Sequence, residues 1–271
     1  MEQKSSNVEM TFWDHVEELR WVIIRSLLGV SIISIVAFLN KNIVFNKVFL
    51  APKEPWFITN RALCKLGELL NSEVLCLNQN NLEIINIKLA GQFTTHLFTS
   101  FAVGIFIASP YIIYEFWRFV RPALRPNEKR HSRGAVLISS LLFITGALFA
   151  YFLIVPLTIN FLGNYQVSEQ VSNTIALSSY LSNVVSVSLS VGIIFEVPIL
   201  IYFLTKTGIV TPIFLRKSRK IIIVVLLVIS AIITPPDLIS QILVCIPLYF
   251  LYELSIRISQ RVYRKNFMPA K

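Results

Sequence analysis

Glu196 stands inside an apolar run, in the string Phe195-Glu196-Val197-Pro198. A carboxylate in hydrocarbon costs roughly 2.5–3.5 kcal/mol on insertion scales, so this group must face protein or water rather than lipid. Pro198 has no backbone N–H, which frees a carbonyl one turn earlier and kinks a helix at the same place. Gly192 lies one turn before Glu196, and Ser182 and Ser178 recur on nearly the same helical face. Two readings are open: a working polar site at mid-membrane depth, or a structural hydrogen bond.

Other acids are less telling by themselves. Phe12, Val16, Leu19 and Ile23 recur at helical spacing and leave Asp14, Glu17 and Glu18 on more polar faces, where acids near a helix start compensate its dipole. Glu128 is one acid in a basic stretch beside Lys129 and Arg130. Cys64 and Cys76 share one polar segment. They are either a disulfide closing a short ring, worth on the order of 3 kcal/mol in the chain-entropy model, or two free thiols. Cys245 lies among Leu and Ile and reads as a small buried apolar residue. No CxxC or CxxH spacing suggests a metal site, and His15, His96 and His131 are far apart. Without a GxSxG, an HExxH or a phosphate-cradling glycine loop, neither an enzyme nor a cofactor is expected.

These residues must be positioned in lipid. The 271-residue chain is 55% hydrophobic and only 15% charged, with a mean hydropathy of +0.66, too apolar for an ordinary soluble domain. Runs of roughly 20 apolar residues cross a hydrocarbon core of about 30 Å only as helices, because the backbone must satisfy its own hydrogen bonds there. The hydropathy predicts an all-α integral membrane protein with six spans: residues 21–39, 92–119 (broken near Ser109-Pro110), 134–156, 180–204, 221–233 and 238–254. Arg25, near the start of the first span, is close enough to snorkel to the interface. The first span follows acids rather than a basic segment and reads as retained, not as a signal peptide.

The net charge of +10 is explained by retention of Lys and Arg on the cytoplasmic side rather than by nucleic acid. Lys41, Lys47, Lys53, Arg61, Lys65 and Lys88 are the only bases assigned outward, so both termini are expected in the cytoplasm. A single domain, 1–271, then carries external loops at 40–88 and 157–178, cytoplasmic loops at 118–133 and 205–220, and a basic cytoplasmic tail at 255–271. The last two spans are short. Either they thin the bilayer locally, or Lys220 and the turn Thr234-Pro235-Pro236-Asp237 let their ends sit inside the interface.

Four stretches, in order, carry a family resemblance. Phe12-Trp13-Asp14-His15-Val16-Glu17-Glu18-Leu19-Arg20 resembles the His-Leu-x-Glu-Leu-Arg start of TatC proteins. Ser109-Pro110-Tyr111, then Trp117-Arg118-Phe119-Val120-Arg121-Pro122-Ala123-Leu124 and on to Glu128, is the second. Phe195-Glu196-Val197-Pro198 is the third, and Thr234-Pro235-Pro236-Asp237 with Ser240-Gln241 the fourth. The chain departs from the pattern at Val22, where many members carry a second base, and in its long first loop with two cysteines.

The resemblance implies a receptor for folded proteins whose signal peptides carry two consecutive arginines. Such a receptor lies in the bacterial cytoplasmic membrane, in several copies per complex with single-span TatA- and TatB-type partners, and is driven by the proton gradient. It implies a single bundle with a concave face. Carried over by position, Glu18 and Glu128 engage the twin arginines, with Phe119, Arg20 and Pro122 shaping that surface. Glu196 and Gln241 face the concave side or a partner helix, and Asp237 belongs to an outward turn. An alternative of a different class is a proton- or ion-coupled secondary transporter titrating at Glu196.

Overall fold

The computed structural model describes residues 12–69, 83–120, 132–166, 168, 173–233 and 238–267. α1 (Phe12–Leu39) leads through a π-helical turn, Ile43–Phe49, and a 3-10 turn, Ala51–Lys53, into α2 (Ile58–Leu69). Strand β1 (Ile84–Ile85) precedes α3 (Gly91–Val120). α4 (Ser132–Phe149), a π segment Ala150–Ile154 and α5 (Val155–Asn164) follow as one rod. Strand β2 (Ile175–Ala176) opens into α6 (Leu177–Ile194), α7 (Val197–Lys206), α8 (Pro212–Lys217), α9 (Arg219–Ile233) and α10 (Leu238–Phe267). The protein is an all-α membrane fold. Among the described residues, His15–Leu39, Gly91–Val120, Gly134–Asn164 and Leu177–Lys206 are long and apolar enough to cross a membrane. α9, at 15 residues, reaches only about 22 Å at 1.5 Å per residue.

α1 and α3 run antiparallel in close contact. A Cβ on Gly104 would come within 2.8 Å of Val30 O, and one on Gly29 within 2.9 Å of the Tyr111 ring, so only glycine permits this approach. At one end of the seam His15 stacks on Phe119 with centroids 4.3 Å apart, and at the other Phe38 stacks on His96 at 4.0 Å. α4 uses the same device against Phe195, the residue that follows α6: the Gly146 Cβ position lies 2.6 Å from its ring. The core, centred on Val155, Leu181, Val191 and Val244, fills the space where the π segment, α6 and α10 meet. Ile32, Ile35, Leu137 and Val224 point outward, as lipid-facing side chains do.

Two expectations need correction, and a third stretch is more ordered than its sequence suggests. α3 is not broken at Ser109-Pro110 but continues through Pro110. The Pro110 ring leaves the Phe106 carbonyl without its helical donor, and the Ser109 hydroxyl donates to that oxygen at 2.8 Å. The helix after Pro156 does not give way to a loop at residue 157 but runs to Asn164. Pro156 enters where a π turn has already shifted the ladder, Val155 N–H reaching Ala150 O, and the Thr59 hydroxyl donates to Phe152 O. The stretch expected as a tail continues α10 as helix to Phe267, with Ser255, Ile256 and Ser259 buried and Ser259 hydrogen-bonded to Thr205 at 2.8 Å.

The described parts of the 40–88 segment, read from sequence as a loop, are organised: residues 40–69 are mostly helical and 84–85 form a strand. The Tyr151 and Tyr180 hydroxyls donate to Val48 O at 2.6 Å and Phe49 O at 2.9 Å, serving carbonyls at the end of the π turn. The Asn60 amide donates to Pro52 O and Glu54 O, and β1 pairs in parallel with β2, Ile84 opposite Ile175.

Candidate functional site

One cluster forms where α1 begins and α3 ends. The His15–Phe119 stack fixes the first turns of α1 against the end of α3, and Glu18 follows one turn after His15. Glu18 is partly buried, and its Oε2 is enclosed without a hydrogen-bond partner among the described residues. Such an oxygen calls for a donor. Arg20 is exposed beside it. Pro122 and Glu128 lie outside the described residues, which end on this side at Val120 and resume at Ser132.

Behind this cluster is a residue that sequence reasoning did not single out. Glu115 on α3 is 2% exposed, accepts from Arg25 Nε at 2.9 Å and lies 3.7 Å from Arg118. Arg25 therefore does not simply snorkel outward; it crosses to a buried carboxylate on the neighbouring helix. The signal that exposes Glu115 is the one that exposed Glu196, an acid inside an apolar span. Its nearness to the bases from Arg118 onward masked it.

A second cluster surrounds Glu196. α6 ends at Ile194 and α7 starts at Val197, so the break expected at Pro198 is present, with Phe195 and Glu196 forming the turn. The Ser139 hydroxyl of α4 donates to Glu196 Oε2, while Oε1 is enclosed and unpartnered among the described residues. The serine that serves Glu196 thus comes from a different helix, not from the Ser178 and Ser182 positions on its own face.

Beyond this cluster, Phe143 and Ser188 belong to the lining of a mostly apolar cavity of about 800 Å³, which also takes in Ile33, Val103 and Tyr151 from three helices. Gln241 donates its amide N–H to Leu227 O at 3.0 Å, joining α10 to α9. Asp237 lies outside the described residues. Cys64 is disulfide-bonded, Cys245 is a free thiol packed on the core, and Cys76 lies outside the described residues. No group of three or more metal-ligating side chains occurs among the described residues.

Both clusters sit where the sequence motifs fall, and known proteins resemble the chain over most of its length. The family described as Sec-independent protein translocase protein (TatC) matches residues 14–247. The TatC protein of Blattabacterium sp. subsp. Periplaneta americana (strain BPLAN) is 40% identical over 97% of this chain and 100% of its own length. TatCy of Bacillus subtilis (strain 168) is 32% identical over 95% of this chain and 91% of its own. The crystal structure of a twin-arginine translocase receptor, TatC in DDM, aligns with a TM-score of 0.69 at 37% identity, covering 90% of this chain and 99% of that one. A match spanning nearly every element at this identity leaves one assignment: the chain belongs to the TatC family of Sec-independent protein translocase proteins.

Proposed function

We propose that this chain is the receptor and core subunit of a proton-gradient-driven translocase that binds twin-arginine signal peptides and exports folded proteins. It works in several copies with TatA- and TatB-type single-span partners in the bacterial cytoplasmic membrane. Six spans, counting α9 and the apolar part of α10, put both termini in the cytoplasm under the retention of bases on that side. The observation that carries the reading is the enclosed, donor-less Glu18 Oε2 beside the His15–Phe119 stack. A planar guanidinium meets a carboxylate through two parallel N–H···O bonds, which a lysine ammonium does not reproduce. Glu18 and Glu128 together therefore select an arginine pair.

A coupled secondary transporter titrating at Glu196 is set aside, because the family's role is protein translocation. The test is binding of a twin-arginine peptide to the detergent-solubilised protein against a Lys-Lys peptide. Equal affinity for the two peptides removes the receptor assignment.

A further inference from the structure

The connection between α7 and α9 is built, not slack. α7 ends at Lys206, Gly208 turns the chain at a φ of 83° that favours glycine, and Val210 N–H reaches back to Leu204 O at 3.1 Å. Thr211 caps α8, its Oγ1 accepting from Phe214 N–H at 3.3 Å. Pro212 and Leu215 face inward, and the Tyr252 hydroxyl of α10 donates to Leu215 O at 2.8 Å.

This anchored turn presents an unusual mixture on its outer side. Ile209, Ile213 and Phe214 are 74%, 77% and 61% exposed, and Arg216, Lys217 and Lys220 are exposed among them. Charge on this part of the chain is poorly balanced. From Val197 to Lys271 the only acids are Asp237 and Glu253, and Glu253 Oε1 is already held by Arg219 at 2.6 Å. The turn also joins the ends of two apolar helices, so it sits where hydrocarbon gives way to headgroups. Bulky apolar side chains interleaved with bases at that depth match the chemistry of an anionic lipid: an apolar chain below, a phosphate above.

We propose that α8 and its flanks form a docking surface for anionic phospholipid. Ile213 and Phe214 enter the acyl boundary, while Arg216, Lys217 and Lys220 engage the phosphate. α10 supplies an internal control. Arg257, Arg261 and Arg264 form an exposed stripe at i, i+4 and i+7, turned away from the buried Ile256 and Ser259.

The experiment uses the full chain reconstituted in bilayers containing phosphatidylglycerol or phosphatidylcholine, with native mass spectrometry to read the lipid retained. The triple variant R216Q/K217Q/K220Q should lose phosphatidylglycerol retention by about a hundredfold, at roughly one surface base's contribution per substitution. R257Q/R261Q/R264Q, equal in charge, should lose little. Equal losses would reduce the surface to general positive charge and overturn the proposal. Phe214→Trp supplies a local fluorophore that depends on no charge change. Against the parent protein's own tryptophans, its added emission should be quenched by phosphatidylglycerol with brominated chains. Absence of quenching in the protein reconstituted alone would overturn lipid as the occupant in favour of a partner protein. Excess inorganic phosphate should leave the lipid in place; displacement would show that the site reads phosphate alone, and the lipid assignment would fail.

Discussion

Arg25 and Glu115 meet across the α1–α3 seam, Nε donating to Oε2 at 2.9 Å, although 90 residues separate them in the chain. Hydrocarbon makes either charge costly alone, and the pair makes both tolerable. The contact also sets the register of the two helices. Gly29 meets Tyr111 one turn farther along α1, and toward the other end His15 meets Phe119, the contact beside which Glu18 is enclosed.

Arg25→Ala should destabilise the protein by about 3 kcal/mol, because it strands a buried carboxylate whose remaining cation, Arg118, is 3.7 Å away. Glu115→Gln should cost less, since Arg25 is partly exposed and can turn toward water. The double change R25Q/E115Q should recover much of the loss. Thermal melting in detergent reads this order; a parent-like melting temperature for Arg25→Ala would dismiss the pair as structurally idle.

Gly104→Ala should lower the same melting temperature, through an overpacking cost of about 1–3 kcal/mol. Ser34 could rotate away from the new methyl, but the Val30 carbonyl at 2.8 Å is backbone and cannot. Combining it with Ser34→Ala should therefore fail to rescue. A full rescue would place the constraint in the serine instead.

The four long apolar helices were legible because hydropathy is a property of contiguous residues, and the Glu196 break because Pro198 announces it locally. What was illegible depended on particular side-chain contacts, most of them with distant partners. Pro110 should end a helix by local rules, yet the neighbouring Ser109 hydroxyl repairs the ladder. Residues 43–59 gain their order from bonds of Tyr180 to Phe49 O, Tyr151 to Val48 O and Thr59 to Phe152 O, across 131, 103 and 93 residues of chain respectively. Glu115 carries the mark of a site residue, but its partner lies on another helix and no spacing rule links them. The motifs contain His15, Glu18 and Phe119, but that His15 stacks on Phe119 and so joins the start of α1 to the end of α3 appears only in three dimensions.

Glu196→Ala should retain signal-peptide binding and abolish export, because the carboxylate sits with Ser139 between α4 and the α6–α7 break, inside an apolar span that a charged arginine pair would have to leave water to reach. Ser139→Ala, which removes its donor, should weaken export to a smaller degree. Crosslinking to signal peptide and to a partner helix separates the cases. Loss of the peptide crosslink with the partner crosslink intact would reassign Glu196 to recognition.

Cys64 and Cys76 should be joined to each other in protein purified without reductant. Non-reducing peptide mass spectrometry should recover the linked pair, with Cys245, the free thiol, alkylated. The ring should contribute about 3 kcal/mol in the chain-entropy model. Recovery of both Cys64 and Cys76 as alkylated thiols would refute the bridge.

Glu18 and Glu128 should act as one site for the arginine pair. The competing account is local pairing, since Glu18 has Arg20 nearby and Glu128 adjoins Lys129 and Arg130 in sequence. Glu18 Oε2 nevertheless has no partner among the described residues, and an enclosed carboxylate oxygen calls for a donor, the role proposed for the incoming guanidinium. Charge-assisted bonds contribute roughly 1.5–3 kcal/mol each, so Glu18→Ala and Glu128→Ala should each weaken twin-arginine peptide binding by about ten- to a hundredfold. The double variant should lose the preference for Arg-Arg over Lys-Lys, because that preference comes from bidentate geometry and not from charge alone. Glu18→Gln keeps the size of the side chain and one oxygen acceptor, so it should bind with intermediate affinity. Peptide titration on variants that melt like the parent separates recognition from misfolding. An unchanged Arg-Arg preference in the double variant would return both acids to the solvated, dipole-compensating role that composition alone suggests.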